Sequence, residues 1–186
     1  MSNSSLEARI RELESREAIR QLVARYCYVI DNRDIPGIGS LFAPDACFRS
    51  LDRVMEARGR AAIVQQFHGR FSVLGMTNHF THDHIIDFET PELAHGIVNS
   101  HAELVRYERP MWVSLRYNDT YVFSEGRWYF GERVLGFSYY LAVEDYPQYL
   151  GDRKRVRAYD QPQDADWPEG TETFKAYMRE FGPEKE

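Results

Sequence analysis

The sequence predicts an α+β domain in which a long, strongly curved antiparallel sheet wraps around helices that open the chain. Three observations carry this expectation. Apolar residues between Leu13 and Asp34 recur at helical spacing, four extended segments begin at Asn78, and the links between those segments are short and turn-forming. A length of 186 residues suits one domain with a sizeable core. The expected division is an N-terminal extension over 1–12, a body over 13–146 and a C-terminal extension over 147–186 that carries a short docking helix.

The opening helix is the stretch LESREAIRQLVARYCYVIDNRD. Ile19, Leu22, Val23, Tyr26, Cys27 and Ile30 fall in one stripe, and Asp31 joins it four residues after Cys27. Glu17, Arg20, Gln21 and Arg25 fall toward water. Asp31 therefore either points into the core or bonds to the backbone of the turn that follows. Asp34 can cap a short helical turn over Ile35–Phe42, with Pro36 tolerated near its start. Cys47–Ser50 and Val54–Ala57 read as short extended pieces, and Arg58–Phe71 as a second amphipathic helix with Ile63, Val64, Phe67 and Phe71 inward.

The period then changes. Asn78–Glu89, Ala94–Glu108, Met111–Ser124 and Arg127–Tyr140 read as strands joined through ETPEL, ERP and SEGR. The tail holds a basic run, DRKRVR, expected to be a solvated surface. It ends in a helical segment, Thr171–Phe181, with Phe174, Tyr177, Met178 and Phe181 on one side. A helix this short needs docking to persist.

Composition excludes several classes of function. A hydrophobic share of 43% and a charged share of 28% suit a globular chain. The net charge of −6, with basic residues interspersed among acidic ones, argues against general nucleic-acid binding. There is no membrane-length apolar run and no signal-peptide pattern, so the expected location is the cytoplasm. Cys27 and Cys47 form no zinc or redox motif and are expected to be reduced core residues. No Gly-rich phosphate loop is present, so no nucleotide cofactor is expected. Twelve Tyr and eleven Phe suit either an aromatic pocket or a core.

Chemistry concentrates in Asn78-His79-Phe80-Thr81-His82-Asp83-His84. Ideal strand alternation puts His82 and His84 on one face and His79 on the other, which disfavours a metal site, so none is assigned. A histidine working with an inward carboxylate explains the same stretch. Neutral imidazole accepts a proton near neutral pH, and a carboxylate on its other nitrogen fixes the tautomer. Asp31 and His79 are the expected pair, meeting at the mouth of a cavity.

The order of EAIRQLVARYCYVIDNRD, NHFTHDH and GRWYFGERV resembles the SnoaL-like branch of the NTF2-like superfamily over roughly Leu13–Tyr140. That branch includes scytalone dehydratase, the bile acid 7α-dehydratase and the lindane dehydrochlorinase. The resemblance implies an NTF2-like cone-shaped barrel, its curved antiparallel sheet closed by the N-terminal helices. It also implies that Asp31 orients or activates His79, that Tyr26 matches a tyrosine of the bile acid enzyme, and that His101 lies near a polar catalytic position. Ile30 replaces a functional tyrosine of scytalone dehydratase, which argues against a scytalone substrate. The implied function is a cofactor-independent lyase or dehydratase acting on a small hydroxylated substrate, aromatic or polycyclic. The alternatives are an isomerase of an enolisable ketone, or a non-catalytic pocket protein or dioxygenase small subunit. A homodimer or homotrimer is expected, because the outer sheet face needs covering.

Overall fold

The computed structural model describes residues 5–183. The first helix, α1, runs Leu6–Asp31, seven residues longer at its start than the sequence indicated. Ser5 caps it by accepting from the Ala8 N–H, and Glu7 sits favourably in the first turn. The start of the helix exposes Leu6, Ile10 and Leu13, while the predicted stripe from Ile19 to Ile30 is buried. The helix stops at Asp31 because Arg33 adopts a left-handed backbone (φ 57°) and Asp34 caps the next helix through the Gly37 N–H at 2.9 Å. Gly37 is required there, since a Cβ would collide with the Asp34 carboxylate. That next helix, α2, spans Ile35–Leu41, and α3 spans Arg60–Phe71, burying Ile63 and Phe67.

Among the described residues six strands form one sheet: β1 (Phe42–Ser50), β2 (Glu56–Arg58), β3 (Leu74–Thr90), β4 (Leu93–Arg106), β5 (Arg109–Ser124) and β6 (Arg127–Ala142), in the order β2-β1-β6-β5-β4-β3. The four long strands make the predicted antiparallel meander. β1, however, runs parallel to β6, so the sheet is mixed.

The expected cone-shaped barrel is not formed. The edge strands β2 and β3 do not pair, and the sheet is neither closed nor strongly curled. Closure needs two long edges brought into register, and β2 offers three residues against the seventeen of β3. Side chains of α1 and of the turn that follows it serve the open edge instead. Arg16 donates to the Ile86 carbonyl at 2.6 Å, Arg33 donates to the Leu74 and Gly75 carbonyls, and Asp31 accepts from the His79 N–H. A long exposed edge is a template for unwanted pairing, and these contacts occupy it.

The core lies between the helices and the inner sheet face, where Tyr26, Phe42, Phe48, Phe67, Tyr117 and Phe130 pack edge-on or tilted. The tail follows the part of β6 that β1 leaves unpaired: Asp166 accepts from the Phe137 N–H, the Tyr140 N–H donates to the Arg155 carbonyl, and the Arg157 N–H donates to the Tyr140 carbonyl. DRKRVR is accordingly not a purely solvated run. Arg155 is buried and makes two 2.7 Å bonds to Glu169. A short helix, α4 (Tyr146–Tyr149), precedes the tail, and α5 (Glu172–Phe181), capped by Thr171, ends it without burying any residue. Among the described residues no helix is long and apolar enough to cross a membrane.

Candidate active site

Asp31 is the last residue of α1, and its position in the buried stripe aims it at the start of β3. Its Oδ1 lies 2.6 Å from Nδ1 of His79 and accepts from the Thr77 hydroxyl at 2.8 Å. Its Oδ2 accepts from the His79 backbone N–H at 2.8 Å. A carboxylate at a helix C-terminus opposes the helix dipole, so these donors are what hold it there. Burial, the largest single influence, pushes its pKa up; the His79 side chain, the His79 N–H, the His79 charge and Thr77 together outweigh it and hold the acid below its usual range. An ionised carboxylate can only accept, which places the His79 proton on Nδ1 and leaves Nε2 as the basic nitrogen. Nε2 has no protein partner among the described residues.

Tyr26 lies deeper, 2% exposed, with its ring against Tyr117 and Phe130 and the Arg133 guanidinium 4.2 Å above it. Burial raises its pKa to about 12 against the opposing charges of Arg133 and Arg70, so it stays a hydrogen-bond donor. Among the described residues it shares no hydrogen bond with the Asp31–His79 pair. Cys27, one turn before Asp31, is held protonated by burial, its pKa raised to about 11.

His101 is not brought to the pair. It projects from the outer sheet face, stacked between Phe80 and His82 with centroids 4.7 Å from each. The His82 Nε2 lies 2.5 Å from its Nδ1. His84 also departs from simple alternation. A bulge between Thr81 and His84 turns His84 inward, opposite to His82, and its Nε2 reaches the Tyr121 hydroxyl at 3.1 Å. Among the described residues no three metal-binding side chains converge.

Tyr121 donates in turn to Asp119 at 2.8 Å, and Asp119 takes a two-point bond from Arg133 at 2.9 and 2.7 Å, both side chains fully buried. Burial pulls the His84 pKa down to about 4, so His84 is neutral and its Nε2–H donates to Tyr121. This chain escaped the sequence reading, as did Tyr117, whose ionisation is disfavoured first by burial and further by the nearby Tyr26 and Cys27. One signal was present: Asp119 occupies an inward position between Tyr117 and Tyr121 in an otherwise apolar row.

A helix-borne acid gripping a histidine at the start of an edge strand, beneath helices packed on one sheet face, defines a small α+β domain with a site at its helix–sheet seam. The chain belongs to the SnoaL-like domain family, whose profile matches residues 11–134. Its fold is similar to that of a protein provisionally named scytalone dehydratase from Novosphingobium aromaticivorans DSM 12444, at 24% identity and TM-score 0.66, covering 71% of this chain and 89% of that one. It is likewise similar to hexachlorocyclohexane dehydrochlorinase LinA-type3 from Novosphingobium barchaimii LL02, at 18% identity and TM-score 0.67, covering 72% and 93%. A third similar structure is a provisionally named aromatic ring hydroxylase from Novosphingobium aromaticivorans, at 21% identity and TM-score 0.66, covering 72% and 96%. No curated protein matches the chain.

Proposed function

We propose that the protein is a cofactor-independent lyase of the dehydratase type, acting on a small hydroxylated substrate, aromatic or polycyclic. His79 Nε2 removes a proton from carbon beside a carbonyl. The electron pair of that C–H bond forms the new double bond as the bond to a β-hydroxyl breaks, and the imidazolium returns its proton to the departing oxygen, giving water. Asp31 holds the ring in the required tautomer and stabilises the imidazolium. Tyr26, kept protonated, is a donor for the carbonyl oxygen as enolate character develops. The observation that supports this reading is the double grip of Asp31 on His79, which leaves Nε2 without a protein partner.

The test is product analysis with cyclic β-hydroxy ketones such as hydroxytetralone, whose dehydration gives a fluorescent naphthol. Loss of water that depends on His79 supports the lyase. A product of unchanged mass reassigns the same base to an isomerase, and binding without turnover across the panel moves the protein to the non-catalytic class.

A further inference from the structure

A cleft of about 490 Å³ opens where the start of β3, the end of α3 and the tail meet, bounded by Gln66, Arg70, Leu74, Arg106, Tyr140 and Tyr159. Arg70 and Arg106 both face it, and neither forms an ion pair among the described residues. Arg70 donates to the Met55 sulfur at 3.3 Å and stands over the faces of Phe48 and Phe67, and Arg106 stands over the face of Tyr107. The Nε of Arg106 and the Oε1 of Gln66 are buried without any hydrogen-bond partner. The acid that also borders the cleft, Glu56, is occupied by Arg53 and Arg58. Both cations act on the same phenols, since each opposes the burial that raises the pKa of Tyr140 and of Tyr159. Two unneutralised cations, an orphan donor and an orphan acceptor in one cleft match a ligand that carries both an anion and a hydroxyl, because a buried polar atom left unpaired is unfavourable.

The cleft and the Asp31–His79 pair share one row of the inner sheet face. His79 pairs with Ala102, Ala102 with Val113 and Val113 with Tyr140. Three strand spacings separate the ends of that row, roughly 14 Å along the sheet. Ala102 and Val113 between them are buried, so the cleft is separate from the pair.

We propose that this cleft is a ligand-binding site separate from the Asp31–His79 pair, that Arg70 and Arg106 bind a carboxylate of the ligand, and that Gln66 accepts from a ligand hydroxyl. With Phe137, Tyr140 and Tyr159 on its wall, the ligand is an aromatic hydroxy acid. The site stands apart from the function proposed above and is tested by binding alone.

The probe is hydroxynaphthoate, followed by its fluorescence, with uncharged naphthol and inorganic phosphate as controls. Wild-type protein is expected to bind hydroxynaphthoate at least tenfold more tightly than naphthol. Arg70→Gln and Arg106→Gln should each weaken hydroxynaphthoate about 10-fold or more, the range for a hydrogen bond to a charged group, and leave naphthol unchanged. Arg70→Lys and Arg106→Lys should recover part of the loss and serve where a glutamine variant fails to fold. His79→Ala should bind as wild type does, which separates this site from the proposed base. Equal binding of hydroxynaphthoate and naphthol, folded arginine variants that bind normally, or displacement by equimolar inorganic phosphate would each overturn the assignment.

Discussion

Asp31 holds His79 at two points, accepting from the ring nitrogen at 2.6 Å through one oxygen and from the backbone N–H at 2.8 Å through the other. The ring cannot rotate about its own strand without losing a bond that the backbone has already fixed. His79→Ala should therefore cost about 10²–10⁴-fold in the chemical step, the range for a positioned general base. Asp31→Asn should slow the same step by releasing the tautomer, with substrate binding less affected. Single-turnover kinetics with a circular-dichroism check on folding decide both; near-normal rates in either folded variant would remove that residue from the chemistry.

The ion pair between Arg133 and Asp119 is wholly buried, and the guanidinium is enclosed by the rings of Tyr26, Tyr117 and Phe130 at 4.0–4.2 Å. Removing one partner leaves an uncompensated charge in that enclosure. Asp119→Asn should lower stability by about 3–5 kcal/mol, read from the urea midpoint at constant slope.

Acid should act on the fold through His84 before it acts through Asp31. The folded His84 has its pKa lowered from 6.5 to about 4, so between those values the unfolded chain binds more protons, and stability falls as the pH falls. Asp31 is also depressed by folding, so its contribution is present above the ordinary carboxylate range and is lost only as the pH drops through its lower folded value. His84→Gln should flatten the stability profile between pH 6.5 and about 4, while Asp31→Asn should alter only the more acidic limb. Urea titrations across the pH series separate the two; a His84→Gln profile as steep as that of wild type over the upper window would count against this account.

Gly96 leaves room for the contact between His84 and Tyr121. A Cβ there would stand 2.7 Å from Tyr121 Cε2 and 3.0 Å from His84 Nε2. Both neighbours are ring atoms held in the core, so Gly96→Ala should destabilise by about 1–3 kcal/mol, measurable as a lowered thermal midpoint.

The outer sheet face exposes Phe80, Ile85, Ile97 and Trp112. Covering these side chains favours self-association, so sedimentation in the micromolar range is expected to show a dimer or trimer, and Ile85→Lys to weaken it. A monomer throughout that range would remove the expectation.

The parts of this molecule that could be read from sequence are those governed by local period. The apolar stripe from Ile19 to Ile30 placed Asp31 on the buried side, and short turns between β-rich runs gave the meander. Sheet closure was not legible in the same way. It depends on whether two distant edges meet, and here Arg16, Asp31 and Arg33 occupy the β3 edge that a barrel would have needed. The parallel pairing of β1 with β6 is equally non-local. The face that His101 takes is a matter of register alone: its neighbours Ser100 and Ala102 are buried, and a step of one residue reverses the face.

The bulge between Thr81 and His84 gives β3 two phases in a single strand. Upstream of it Thr77 and His79 face the helix; downstream His84 and Ile86 do, although simple counting would put them outside. The extra residue thus works as an adaptor that lets two inward-facing chemical groups be specified separately, one for each half. Excising Asp83 would not merely shorten the strand. It would invert everything after it, presenting Ile86 and Phe88 to water and driving Asp87 into the core, while leaving the grip of Asp31 on His79 in its original frame.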